Sequence, residues 1–182
     1  CKGASILNYG DISTLSFHAT KIFHSIEGGA LIINDDSLVE KARYLINFGI
    51  KSQEEIPELG TNAKMNEFEA AMGLCVLDDM QELNVKRKTV YEFYKKELEG
   101  VVRFQHQNED SSQNYSYFPI ILESEEQLKK IEKALSLKDI FPRRYFFPSL
   151  DTLDYIDSKQ ICKISRDISS RVLCLPMYVE LE

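Results

Sequence analysis

Ser16-Phe17-His18-Ala19-Thr20-Lys21, with Ile26-Glu27-Gly28-Gly29-Ala30 shortly after it, carries the strongest chemical signal in this 182-residue chain. The run Ser13–His18 is strand-like and ends in a small, polar turn that places a lysine. A glycine pair and a second apolar run, Ala30-Leu31-Ile32-Ile33, follow at once. A lysine held in a turn between two buried strands is poorly solvated, and desolvation disfavours the ammonium, which is what a Schiff-base lysine needs. Ser16, earlier on the same strand, offers a hydroxyl that can hold a phosphate. From these residues alone, an ordinary solvated turn lysine remains an open and commoner reading.

Working outward, strands are expected at about 13–18 and 29–34, after a turn-rich start with Gly3, Asn8, Gly10 and Asp11. Ser37-Leu38-Val39-Glu40 has the form of a capping box, and Leu38, Ala42, Leu45 and Ile46 share one helical face, with Gly49 as the expected stop. Pro57 excludes a continuous helix through the polar stretch 50–65. From Asn66 to about Leu98 the apolar residues recur at three- and four-residue steps, which predicts one long helix, kinked near Gly73 or Asn84 if anywhere. At 1.5 Å per residue such a helix is about 50 Å long and suits a bridge between domains. Val101–Phe104 and Tyr115–Leu122 read as strands, with Pro119 suggesting a sheet edge. Ser124-Glu125-Glu126-Gln127 is a second capping box, opening a helix with Leu128, Ile131 and Leu135 on one face. Basic and aromatic residues then crowd together in Arg143-Arg144-Tyr145-Phe146-Phe147.

The composition, 43% hydrophobic and 28% charged with formal net charge −7, is that of a globular chain. The acidic balance argues against nucleic acid or an anionic membrane surface as partner, and no apolar stretch approaches the roughly 20 residues of a membrane span. Lys86-Arg87-Lys88 is the only dense basic run and reads as a solvated helix face. Cys1, Cys75, Cys162 and Cys174 form no Cys-x-x-Cys pair; Cys75 and Cys174 sit among apolar residues as small hydrophobes, and a reducing compartment, the cytoplasm, fits best. Three histidines without a carboxylate or cysteine cluster make no metal site.

Three segments, in order, resemble motifs of the DegT/DnrJ/EryC1/StrS sugar aminotransferases. They are Gly10–Lys21 with Glu27-Gly28-Gly29-Ala30, then Gly60-Thr61-Asn62-Ala63-Lys64-Met65-Asn66 leading into the long helix, then Val172-Leu173-Cys174-Leu175-Pro176-Met177-Tyr178. The resemblance covers nearly the whole chain. It implies an α/β fold, the C-terminal part of a fold-type I pyridoxal 5'-phosphate transferase. Residues 1–65 would end the large cofactor-binding domain, 66–99 form the connecting helix and 100–182 the small α/β domain. The lysine matching Lys21 carries the cofactor in that family, and the serine matching Ser16 binds its phosphate. The asparagine matching Asn62 reaches the phosphate in a neighbouring subunit, which implies a homodimer; Ala63 departs from the family's aromatic residue there. His18, Arg143 and Tyr145 fall where the family presents groups to the cofactor pocket and the sugar nucleotide, though His18 also suits a core position and Arg143–Tyr145 a surface stack. The implied reaction moves an amino group, from glutamate, to a nucleotide-linked keto-sugar such as dTDP-4-keto-6-deoxyglucose, for O-antigen or another surface polysaccharide. Relatives with histidine for this lysine catalyse dehydration instead, so Lys21 favours amino transfer. The start at Cys1 without methionine suggests a fragment lacking the upstream half. A catalytically silent regulatory or binding relative of the same fold is the other class left open.

Overall fold

The computed structural model describes residues 2–156 and 160–181, so Cys1 and Glu182 lie outside the described residues. The chain is mixed α/β and divides into two compact units, Cys1–Glu82 with Asp110–Ser112, and Leu83–Glu109 with Gln113–Glu182.

In the first unit, β1 (Ile12–Ser16) and β2 (Gly29–Ile33) pair antiparallel, with Ile12 opposite Ile33 and Ser16 opposite Gly29. Every position of both strands is exposed or half-buried, so they are not the buried strands expected around Lys21. A pair of strands packed on one face leaves the other in water, which accounts for exposed Leu31. α1 (Val39–Leu45) begins without a side-chain cap, contrary to the box read at Ser37–Glu40. The cap belongs instead to the single 3-10 turn before it, where the Asp35 carboxylate accepts from both the amide and the hydroxyl of Ser37. Gly49 does not stop α1 directly; it lies beyond the helix end with φ 77° and donates to the Tyr44 carbonyl at 2.7 Å.

Residues 46–50 and 58–63 run against each other so closely that a Cβ on Gly49 would sit 1.7 Å from the Glu58 carbonyl oxygen, and one on Gly60 2.1 Å from the Gly49 nitrogen. Amide bonds from Phe48 to Thr61, Thr61 to Leu45 and Ala63 to Ile46 complete this clasp. Gly49→Ala combines a left-handed backbone with a backbone collision, and should cost more than about 1 kcal/mol. Hydrogen exchange would read it as lost protection at the Thr61 and Ala63 amides.

α2 (Glu67–Glu97) is 31 residues long and runs through Gly73 and Asn84 without interruption. Its start is a reciprocal box: the Asn66 carboxamide accepts from the Glu69 amide at 2.9 Å, and the Glu69 carboxylate from the Asn66 amide at 3.2 Å. Buried Gly73 lets the helix approach Phe23 and Ser25. Cys75 is exposed on α2, not packed as its apolar sequence neighbours suggested.

The second unit holds an antiparallel sheet ordered β3 (Arg103–Phe104), β4 (Phe118–Ile121), β5 (Val172–Leu175), with α3 (Glu125–Ser136) and α4 (Lys163–Arg171). Phe118, Ile120, Leu122, Leu128 and Leu173 form the core, closed by Tyr91, Tyr94 and Leu98 among others. Ser124 caps α3 by accepting from the Gln127 amide at 3.1 Å, as the sequence pattern predicts. Pro119, however, lies on the central strand, not on an edge. It faces Cys174, whose amide and carbonyl both bond Arg143 on the far side, and β3 pairs only as far as Ile120, so no partner needs the missing N–H. Arg87 corrects the solvated-face reading of the basic run: it is partly buried and bonds three backbone carbonyls.

Asp151 is a second hub. Its carboxylate accepts from Ser149 Oγ at 2.5 Å, the Cys162 amide at 2.8 Å and Arg166 Nε at 2.8 Å. Chiefly through Ser149, these bonds hold its pKa down at about 2. A carboxylate with a depressed folded pKa contributes stability that is complete above its ordinary value near 3.8 and is lost as pH falls through about 2. Between those limits Asp151→Asn should show a flatter loss of stability with acid than the native chain, read as Tm against pH.

Candidate active site

The turn after β1 presents Lys21 to solvent. The Lys21 amide donates to the His18 carbonyl at 2.9 Å, while among the described residues its ammonium has no hydrogen-bond or ion-pair partner. The desolvation argument is therefore not met by this chain's own groups; Lys21 is exposed. What the fold does fix is the frame around it. Phe17 donates to the Gly28 carbonyl and accepts from the Ser25 amide, both at 2.9 Å, and the Phe17 and Phe23 rings meet edge-on at 4.8 Å. Ser25 is 1% exposed and donates its hydroxyl to the Glu27 carbonyl at 2.7 Å. Gly28, at φ 148°, fits only because it lacks a side chain: a Cβ would lie 2.5 Å from Ser25 Oγ and 2.8 Å from Met65 Cε. Ser25 and Met65 carry no local sequence signal for this role; only the glycine pair hinted at the crowding.

His18 lies on the same turn. Its Nδ1 accepts from the Thr20 amide at 3.2 Å and lies 2.9 Å from Thr20 Oγ1, which assigns the ring proton to Nε2, facing Glu27 at 3.6 Å. Ser16 Oγ accepts a long bond from the His18 amide at 3.4 Å, leaving its proton free to donate. His24 has a buried Nδ1 without a partner among the described residues. Asn62 sits on the Gly49–Gly60 clasp, bridged to Asn47, and its exposed carboxamide bonds no described group. No hydrogen bond or ion pair among the described residues joins Asn62 to Ser16 or Lys21.

Arg143 and Tyr145 do come together, in the second unit. One Arg143 terminal nitrogen donates to the Tyr145 hydroxyl at 2.7 Å, with the guanidinium carbon 5.7 Å from the ring centre. Backbone bonds of 2.9 and 2.8 Å between Arg143 and Cys174 fasten the segment to β5. Tyr145 meets Tyr117 edge-on at 5.4 Å, and both line a cavity of about 510 Å³ with buried Cys174, whose thiol burial pushes up to about 11. No sequence signal singles out Tyr117.

Residues 1–182 match the DegT/DnrJ/EryC1/StrS aminotransferase family, and the chain belongs to it. It is 40% identical to dTDP-4-amino-4,6-dideoxy-D-glucose transaminase of Shigella dysenteriae over 97% of this chain and 50% of that protein. The Escherichia coli enzyme of the same name is 30% identical over 86% of this chain and 45% of its own length. The crystal structure of the aminotransferase TlmJ from Streptoalloteichus hindustanus superposes on the whole chain with a TM-score of 0.90 at 20% identity, covering 50% of TlmJ. DesI, solved with its TDP-sugar product, gives 0.81 at 29% identity over 95% of this chain and 46% of DesI. The chain thus spans about half the length of the curated relatives it matches. Among the described residues no helix is long and apolar enough to cross a membrane.

Proposed function

We propose that this chain is the C-terminal part of a pyridoxal-phosphate-dependent aminotransferase that moves an amino group from glutamate to a nucleotide-linked keto-deoxysugar, with dTDP-4-keto-6-deoxyglucose as the substrate. The observation that carries the proposal is the 40% identity, over 97% of the chain, to a transaminase named for dTDP-4-amino-4,6-dideoxy-D-glucose. In this reading residues 1–65 end the cofactor domain, 66–99 connect and 100–182 form the small domain. The enzyme works in the cytoplasm as a homodimer in which Asn62 serves the partner's site, and its product feeds a surface polysaccharide.

The residues present fit pyridoxal phosphate. The amine of Lys21 is uncommitted, the Ser16 hydroxyl has a proton to give, and the Asn62 carboxamide is unpaired among the described residues. A phosphate dianion wants several such donors. The bound cofactor supplies the electron sink. Lys21 Nζ would hold the cofactor covalently; displaced as a free amine, it takes the proton from the amino-bearing carbon of the donor and returns one at the carbon of the keto-sugar. Ser16 Oγ would anchor the phosphate in its own subunit, and the Asn62 carboxamide would reach the phosphate of the neighbouring subunit. The His18–Glu27 pair steadies the turn that aims Lys21. Arg143 suits the diphosphate as a planar donor fork, and Tyr145 the sugar or base face.

The test is borohydride reduction of pyridoxal phosphate on this chain joined to the N-terminal half that its relatives carry, followed by peptide mapping. The expected product is one reduced adduct, on the Lys21 peptide. A folded protein with cofactor in excess and no adduct there would refute the proposal.

A further inference from the structure

Arg87, on α2, has no part in the chemistry above, yet its guanidinium bonds three backbone carbonyls. Its Nε donates to the Tyr115 carbonyl at 2.9 Å, one terminal nitrogen to Ser116 at 2.7 Å and the other to Met177 at 2.9 Å. No carboxylate among the described residues pairs with it. Burial lowers its pKa, so the charge is held at a cost that three neutral carbonyls offset only in part. A planar fork bonded to three carbonyls fixes those acceptors relative to one another as well as to the helix. One turn further along α2, Tyr91 meets Tyr115 edge-on at 5.4 Å and Phe118 at 4.9 Å, so the segment leading into β4 is fastened twice. The residue between these two anchors is Tyr117, whose ring meets Tyr145 edge-on and lines the 510 Å³ cavity with it.

We propose that Arg87 is a positioning residue: by fixing the Tyr115–Ser116 backbone it sets Tyr117 against Tyr145 and so holds the aromatic wall of this cavity, where Tyr117 contacts the ligand. What the cavity takes rests on the function proposed above, namely the nucleoside diphosphate of the sugar substrate, its base on the aromatic wall and its diphosphate toward Arg143. The wall's geometry is independent of that assignment.

The test is NMR of the 182-residue chain with labelled tyrosine and phenylalanine rings, with dTDP as the probe. Arg87→Met should lose the contact signal between the Tyr117 and Tyr145 rings while keeping those of Tyr94 and Phe104 with Phe118. Survival of the Tyr117–Tyr145 signal would overturn the proposal. Should Arg87→Met also lose the Phe118 contacts, Arg87→Lys, which keeps the charge without the fork, decides by the same two signals. Added dTDP should shift the Tyr117 and Tyr145 resonances, with affinity roughly three- to tenfold weaker in Arg87→Met and Tyr117→Ala. Equal affinity in a variant that has lost the ring contact overturns the wall's role. If dTDP shifts neither ring in the native chain, the nucleotide is excluded as occupant, and the ring contact alone still judges Arg87.

Discussion

In the proposed complete aminotransferase, Lys21→Ala is expected to lower kcat by on the order of 10²–10⁴-fold, the range lost when a positioned proton-transfer group is removed. The size of the effect follows from the two tasks assigned to one nitrogen, holding the cofactor and moving the proton, neither of which a methyl group can perform. Stability should not follow activity. Lys21 is exposed and its ammonium has no partner among the described residues, so the side chain contributes no contact that alanine would forfeit. Thermal unfolding of the 182-residue chain should therefore show the same Tm for Lys21→Ala as for the native sequence. Lys21→Arg sharpens the comparison: it keeps the charge, but a guanidinium stays protonated and can neither bond the cofactor nor accept a proton. If either variant retained near-native kcat, the proton transfer would have to belong to another residue, and His18 on the same turn would be the next to replace.

Lys21 stands out through the family resemblance of a short local segment, since its residues alone leave an ordinary turn lysine the commoner reading. The strand before it, the turn that holds it and the glycine pair after it are encoded within twenty residues, and the observed elements differ from expectation only at their ends. Helices with strong periodicity, α2 above all, were legible for the same reason. Features made by distant residues were not. Arg87 looks like one member of a solvated basic run because its three acceptors lie 28, 29 and 90 residues away. Pro119 looks like an edge residue because propensity does not reveal that β3 stops short of it. The Ser37 box failed through competition, since Asp35 offers a charged acceptor two residues earlier and captures both Ser37 donors. The exposure of Lys21 is the most instructive difference. Desolvation depends on what packs over the turn, and the strand pair of this chain alone does not supply it. In the proposed complete enzyme, the bound cofactor and the remaining half of the fold would do so.

Phe118→Ala should be the most destabilising single change in the second unit, costing about 3–5 kcal/mol. Phe118 is 1% exposed and is met by three aromatic rings at once: Tyr91 at 4.9 Å, Tyr94 at 5.0 Å and Phe104 at 5.7 Å. Two of these sit on α2 and the third on β3, so removing the Phe118 ring opens a cavity between helix and sheet that neither can collapse into without losing register. Leu128→Ala, at 0% exposed on α3, should cost about 2–5 kcal/mol, the range for truncating a buried leucine. Urea denaturation followed by circular dichroism measures both, with exposed Leu31→Ala in the first unit as a control that should change stability by no more than about 0.5 kcal/mol. A Phe118→Ala midpoint within experimental error of the control would mean that the aromatic cluster does not carry the core. The same variant bears on function, because the backbone of Phe118 follows directly from Tyr117. If the cluster yields, the wall facing Tyr145 yields with it, and the loss at the cavity should exceed what Tyr117→Phe alone produces.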